Sequence, residues 1–321
     1  MIMIGKYRLN TNVLLAPLAG CADLPFRLIM REHGAKFAFF EMVDANALKN
    51  NKKSLESLET DKKDRPIAAQ LVGANPELML SSARKLLKLV DVAFIDVNAA
   101  CPVKKILKKK AGSYLIKDPK ALYKVIKKLS SKLDVPVTVK LRSGYSRADH
   151  AAIAEIARNC EKNGASAIFI HGRTRDQGYS GEVDYEAIRA VKKAVKIPVF
   201  GSGNVLTPEL AKRMFDETGC DGILVARGSF GNPWIFRNIE EHLKGRPVHT
   251  PDLEEKKKAA LEHIGYINKY SSRPLRTIGL MRKAALWYMK GFSNAAQLRG
   301  RINTAKSYDE LKGMITGAKE R

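Results

Sequence analysis

Ala93-Phe94-Ile95-Asp96-Val97-Asn98-Ala99-Ala100-Cys101-Pro102 is a short apolar run that ends in a polar side chain, a thiol and a proline, and Lys104, Lys105, Lys108, Lys109 and Lys110 follow at once. A run this short and this apolar reads as a strand covered on both faces. Its end sets a potential proton donor beside a surface suited to polyanions.

Seven more runs of the same kind lie around it. Strands are expected at 13–19, 37–43, 67–72, 93–98, 137–142, 167–171, 198–201 and 222–226, with helical patterns between them at 77–89, 120–133, 150–163, 185–195 and 208–217. Asn75-Pro76, Asp118-Pro119 and Thr207-Pro208 each place a capping side chain before a proline suited to a first helical turn. Eight strand–helix units in roughly 240 residues fit a (β/α)8 TIM barrel better than a doubly wound open sheet.

Active sites of such barrels gather at the carboxyl ends of the strands. In order those ends are Pro17-Leu18-Ala19, Glu41, Gln70, Asn98 with Cys101, Lys140 with Arg142, His171 with Arg173, Ser202-Gly203-Asn204, and Arg227-Gly228. The last two follow strands seven and eight, the usual phosphate position, where glycine admits backbone N–H groups close to an anion and Arg227 can pair with it. Lys140 at the end of an interior strand asks for an anionic partner. His171, with no acidic cluster near it in sequence, reads as a ligand hydrogen-bonder rather than a metal ligand.

After about residue 245 the alternation stops. Residues 245–251 read as a linker between a barrel domain (1–245) and a small all-helical domain (251–321) of about four helices, with breaks near 271–274, 291–293 and 304–307. The helical part carries fifteen Lys and Arg against seven Asp and Glu, a net of +8. Arg273, Arg276, Arg282, Lys283, Lys290, Arg299 and Arg301 cluster there with Trp287, Tyr288 and Phe292, a mixture suited to phosphates and bases, although Trp287 reads better as bundle core. The whole chain of 321 residues carries +24, a field that attracts nucleic acid or anionic surfaces. Four scattered cysteines with no C-x-x-C argue against zinc or a disulfide framework. With neither a signal-peptide pattern at its start nor an apolar run of about 18 residues, the chain is expected to be cytoplasmic and away from membranes.

The ordered segments A-P-L-A-G, Q-L-V-G, D-V-N-A-A-C-P-V-K-K, V-K-L-R-S-G, I-H-G-R-T-R, G-S-G-N-V and N-P-W-I-F, from about Leu15 to Phe236 with a weaker continuation at R-K-A-A-L-W-Y, resemble the tRNA-dihydrouridine synthases, particularly their bacterial B-type branch. The resemblance implies an FMN-containing barrel with a helical tRNA-binding domain, reducing the 5,6 double bond of uridine in tRNA with NADPH as electron source. It implies Cys101 as the acid that protonates carbon 5 while hydride reaches carbon 6. It also implies Pro17, Leu18, Ala19, Gln70, Lys140 and His171 around the flavin, and Ser202, Gly203, Asn204, Ala226 and Arg227 on its phosphate. Asn98 would face the uracil, and Arg173, Arg282 and Lys283 would contact the RNA. Ala100 stands where the family has glycine, and Ala284 where it has histidine. Two other readings are a dihydroorotate dehydrogenase-like barrel acting on a free pyrimidine, which has no use for the basic appendage, and an RNA-binding barrel without chemistry.

Overall fold

The computed structural model describes residues 1–50, 58–271 and 274–319; Arg273 lies outside them, as does the side chain of Arg276. A hairpin of β1 (Ile2–Ile4) and β2 (Tyr7–Leu9) precedes β3 (Val13–Leu15) and α1 (Leu24–Glu32). Next come β4 (Ala38–Phe39), β5 (Val43–Asp44) and α2 (Ala45–Asn50). Regular units follow: β6 (Ile67–Val72) with α3 (Pro76–Leu89), and β7 (Ile95–Asn98) with α4 (Lys104–Leu107) and α5 (Pro119–Ser130). They continue as β8 (Val137–Arg142) with α6 (His150–Lys162), β9 (Ile168–His171) with α7 (Tyr185–Ala194), β10 (Val199–Ser202) with α8 (Pro208–Thr218), and β11 (Gly222–Val225) with α9 (Ile235–Leu243). The chain ends in α10 (Leu253–Tyr270), α11 (Pro274–Tyr288), α12 (Ala295–Thr304) and α13 (Tyr308–Thr316). The helix starts after Asn75, Asp118 and Thr207 form as expected, each side chain accepting a backbone N–H of the first turn.

Parallel pairing runs β3-β11-β10-β9-β8-β7-β6-β4. The remaining seam is bridged where Leu15 N–H donates to the Phe37 carbonyl at 3.0 Å, so the sheet closes into the expected barrel. The strands expected at 13–19 and 37–43 are shortened most. Ala16 N–H makes a last bond to Val225 at 2.9 Å, and Pro17, which has no N–H, cannot extend the ladder. The 37–43 run breaks in two: Phe40 N–H still reaches Ala68 at 2.9 Å, and pairing resumes only at Val43 opposite Leu71.

Side chains alternate between two cores, as the period of a strand demands. Val13, Leu15, Ile95, Val97, Val139, Ile168, Ile170, Ile223 and Val225 face the surrounding helices. Leu14, Phe37, Phe39, Phe94, Phe169, Phe200 and Leu224 fill the lower barrel interior, and the hairpin closes that end with Ile4 and Leu9. Phe169 and Phe200 lie 4.9 Å apart by ring centroid. The upper interior is polar, which is what makes a site possible there.

The last four helices form their own apolar cluster around Ile264, Met281, Ala285, Tyr288 and Ile302. Trp287, expected inside this bundle, instead stands at its edge, stacked on Phe230 of the barrel at 4.5 Å and edge-on to Phe26 at 5.5 Å. Tyr270 Oη donates to Asp61 at 3.2 Å, and Tyr266 Oη pairs with Glu32. Ala284, 2% exposed, is bundle core.

Gly222 carries the packing of the lower interior: a Cβ there would lie 2.4 Å from two carbons of the Phe200 ring. Gly222→Ala should therefore destabilise by about 1–3 kcal/mol through overpacking. Gly279→Ala, in the middle of α11 with open space around it, should instead be neutral or stabilising by about 1 kcal/mol. Denaturant melts of both variants check this; a Gly222→Ala protein as stable as its parent would contradict the packing.

Candidate active site

A cavity of about 450 Å³ opens at the carboxyl ends of the strands, within the size range of small-ligand sites. Pro17, Leu18, Ala19, Gln70, Asn98, Cys101, Lys140, His171, Ser202, Gly203, Asn204, Ala226 and Arg227 all line it. Arg142, Met42, Cys21, Tyr179 and Phe230 also line it and were not among the expected ligand contacts. Arg142 had a signal, since it is two residues beyond Lys140 and so shares its interior face. Tyr179 sits in the long connection after β9 and had none.

Cys101 is held from both sides of its peptide. Asn98 Oδ1 accepts the N–H of Ala100 at 3.0 Å and of Cys101 at 2.9 Å, an Asx-type turn that ends β7. The Cys101 carbonyl accepts Ser113 N–H and Ser113 Oγ, each at 3.0 Å. Gly112, at φ +64, allows this return: a Cβ would stand 2.7 Å from the Cys101 carbonyl oxygen. Ala100 does not adopt a positive φ, so its methyl brings no backbone strain, and its carbonyl accepts Arg142 Nε at 2.8 Å. Arg142 Nη1 reaches the carbonyls of Thr174 at 2.8 Å and Gly178 at 3.1 Å, tying the Cys101 turn to the loop after β9.

Beneath the cavity lies a buried polar chain. Asn98 Nδ2 donates to Gln70 Oε1 at 2.7 Å, and Gln70 Nε2 donates to Asp96 Oδ2 at 2.7 Å. Thr138 Oγ1 donates to the other Asp96 oxygen at 2.7 Å. Burial raises the Asp96 carboxyl to about 6, against the pull of the Thr138 and Gln70 hydrogen bonds and of Lys140.

Lys140 Nζ has no hydrogen-bond partner among the described residues. Burial pushes it down to about 8, with Arg142 adding to the fall and Asp96 opposing it. His171 falls further, to about 2, from burial and then from Lys140, Arg142, Arg173 and Arg227 around it, so its imidazole is neutral. Burial raises the Cys101 thiol, with the Val103 N–H and Arg142 pulling the other way.

Among the described residues no Asp or Glu lines the cavity, while Lys140, Arg142 and Arg227 do. Gly203, at φ +128, lies against His171 and Val183, and Arg227 Nη2 donates to Asn204 Oδ1 at 3.2 Å. Arg173, expected to contact substrate, is 1% exposed and off the cavity wall. Its Nε and Nη2 bind the carbonyls of Ser180 and Gly181, and its buried Nη1 finds no partner. An unpaired guanidinium N–H, four cations around one imidazole and a glycine turn make a fitting cradle for a phosphate-bearing ligand. Among the described residues no group is placed to hold a metal ion, and no helix is long and apolar enough to cross a membrane.

The two expected contacts from the helical part separate. Lys283 Nζ reaches the barrel, donating to the Gly20 carbonyl at 2.7 Å and standing 3.1 Å from Cys21 Sγ at the cavity wall. Arg282 instead turns inward and donates from Nε to the Ala305 carbonyl at 2.7 Å.

A model of the dihydrouridine synthase (Dus) family matches residues 14–319. The chain is 35% identical over 311 residues to tRNA-dihydrouridine synthase B of Pseudomonas aeruginosa, covering 96% of this chain and 93% of the relative. It is 34% identical over 319 residues to probable tRNA-dihydrouridine synthase 1 of Synechocystis, covering 99% and 89%. Among solved structures, histamine dehydrogenase of a Rhizobium superposes with a TM-score of 0.60 at 12% identity, over 83% of this chain and 50% of that one. The old yellow enzyme of Trypanosoma cruzi gives 0.54 at 12%, over 78% and 93%. These distant structures share the barrel fold. With the family model spanning nearly the whole chain and its relatives matched along nearly their full length, the chain belongs to the dihydrouridine synthase family.

Proposed function

We propose that the protein reduces specific uridines of tRNA to dihydrouridine, with Cys101 as the proton donor, in a cytoplasmic setting. The observation that carries this is a thiol on a turn hydrogen-bonded on both sides, lining a cavity whose charged side chains among the described residues are all cations. FMN, when bound, supplies the hydride that reaches carbon 6 of the uracil, with NADPH as the source of electrons.

The residues divide by what they can bind. Pro17, Leu18, Ala19 and Gln70 suit the flat ring system. Ser202, Gly203, Asn204, Ala226 and Arg227 suit the phosphate, with Arg173 behind them contributing charge. Lys140, still charged at neutral pH, sits where it would stabilise a negative charge on the ligand, and neutral His171 offers a hydrogen bond without adding another cation. The oxygen of Asn98 is filled by backbone N–H groups and one of its amide N–H groups by Gln70; the other stands 3.2 Å from Met42 Sδ, a weak acceptor that a uracil carbonyl can replace. Cys101 keeps its proton at neutral pH, gives it to carbon 5, and is left as a thiolate beside Arg142; solvent then reprotonates it. The target base must leave the tRNA stack to enter the cavity. Lys104, Lys105 and Lys108 on the exposed turn after Cys101, together with Lys283 at the mouth, suit the phosphates on either side. The helices from 251 onward are proposed as the tRNA-binding domain, with Arg282 bracing it from within.

Cys101→Ala should leave flavin content and NADPH consumption by the flavin unchanged, while dihydrouridine formation falls at least about a hundredfold, the size of a lost general acid. A variant that modifies tRNA at the parental rate would remove Cys101 from the chemistry. tRNA affinity should also fall steeply with salt, by about 0.7–0.9 log units per log unit of salt for each phosphate contacted. A nearly flat response in a filter-binding titration would contradict the basic surfaces as the docking face.

A further inference from the structure

We propose that Asp96 is a positioning residue: through Gln70 and Asn98 it holds the Cys101 turn, and with it the thiol, in place against the cavity. Asp96 is itself fully buried and forms no part of the cavity wall. The proposal deepens the reading of Cys101 as proton donor and rests on it.

The polarity of the hydrogen bonds makes the case. The backbone N–H groups of Ala100 and Cys101 can only donate, so the Asn98 atom between them is the oxygen. The Asn98 nitrogen then faces Gln70, which must answer with its own oxygen. That turns the Gln70 nitrogen toward position 96, where only a group with lone pairs can end the chain. A carboxylate does so and has a second oxygen for the Thr138 hydroxyl. Each orientation is forced by the one before it, so the chain is one-way from the buried acid to the Cys101 peptide.

Removing the terminal acceptor frees every link. With leucine at 96, Gln70 can turn its amide over, which sets its N–H groups against those of Asn98. Asn98 must then rotate, and the N–H groups of Ala100 and Cys101 lose their common acceptor. Asparagine at 96 preserves the chain: its oxygen accepts from Gln70, and its amide N–H donates to the Thr138 hydroxyl, which can accept as well as donate. An acceptor at 96, rather than a charge, is what the turn needs.

The test is iodoacetamide labelling of the purified full-length protein, read peptide by peptide by mass spectrometry. Cys21, a free thiol on the same cavity wall, serves as internal reference. In Asp96→Leu the labelling rate of Cys101 should rise about fivefold or more relative to Cys21, the factor expected when one stabilising contact is lost. Turnover on tRNA should fall about tenfold to a hundredfold, as for a misplaced catalytic group, with KM for tRNA unchanged. Asp96→Asn should restore both readings. Unchanged labelling at Cys101, an equal rise at both thiols, or an Asn variant as impaired as the Leu variant would each overturn the proposal. Should Asp96→Leu prove insoluble, Gln70→Leu breaks the chain one link later and is read by the labelling ratio alone, because Gln70 also lines the cavity. Failure of the proton-donor reading looks different: Cys101→Ala would keep its activity while the labelling pattern of the Asp96 variants stood.

Discussion

A carboxylate buried inside the barrel organises everything above it. The lower interior is phenylalanine and leucine, closed off by the hairpin, and Asp96 lies where this apolar plug gives way to polar side chains. A buried carboxylate without partners is costly, and each donor left unpaired around it would cost about 1–3 kcal/mol. Here Thr138 and Gln70 satisfy both oxygens, and the cost of burial survives only as a carboxyl raised to about 6. The same chain fixes the Gln70 and Asn98 amides and anchors the turn that carries Cys101. The apolar plug, the acid, the amides and the thiol thus form one vertical stack.

Above that stack the balance of charge reverses. Lys140, Arg142, Arg173 and Arg227 surround a neutral His171, and among the described residues no acid faces them from the cavity wall. Cations this close together repel one another, and the buried Asp96 offsets part of that repulsion at Lys140. Arg142 and Arg173 are kept in place by backbone carbonyls, which neutralise none of their charge. An arrangement that destabilises the protein alone is favourable once an anion binds, and it draws that anion to one end of the cavity. Arg142 belongs to both ends, being one of these cations and also the charge beside the Cys101 thiol.

Much of this was legible in the sequence because strands impose a period of two. Lys140 and Arg142, Asn98 and Asp96, and Gln70 each fall on the interior face of a strand whose alternate residues are plainly core. The pairs Asn75-Pro76, Asp118-Pro119 and Thr207-Pro208 marked three helix starts to within a residue. What pattern could not supply was anything depending on contact across the chain. The hairpin plug is only two short runs of three residues. Tyr179 reaches the cavity from an irregular loop. Arg173 follows a strand end, as a ligand contact should, but its partners are carbonyls seven and eight residues on. Trp287 has the spacing of a core residue, and only the barrel's Phe230 and Phe26 explain why it stands at an interface instead.

The central claim is that this stack of groups reduces uracil within tRNA. It is tested most directly by mapping dihydrouridine, by mass spectrometry, in tRNA from cells with and without this gene. The account predicts that deletion abolishes the mass gain of two hydrogens at one or a few defined uridines, and that the gene restores it only with Cys101 intact. An unchanged dihydrouridine map in the deletion strain, together with no modification by purified flavin-loaded protein, would contradict it.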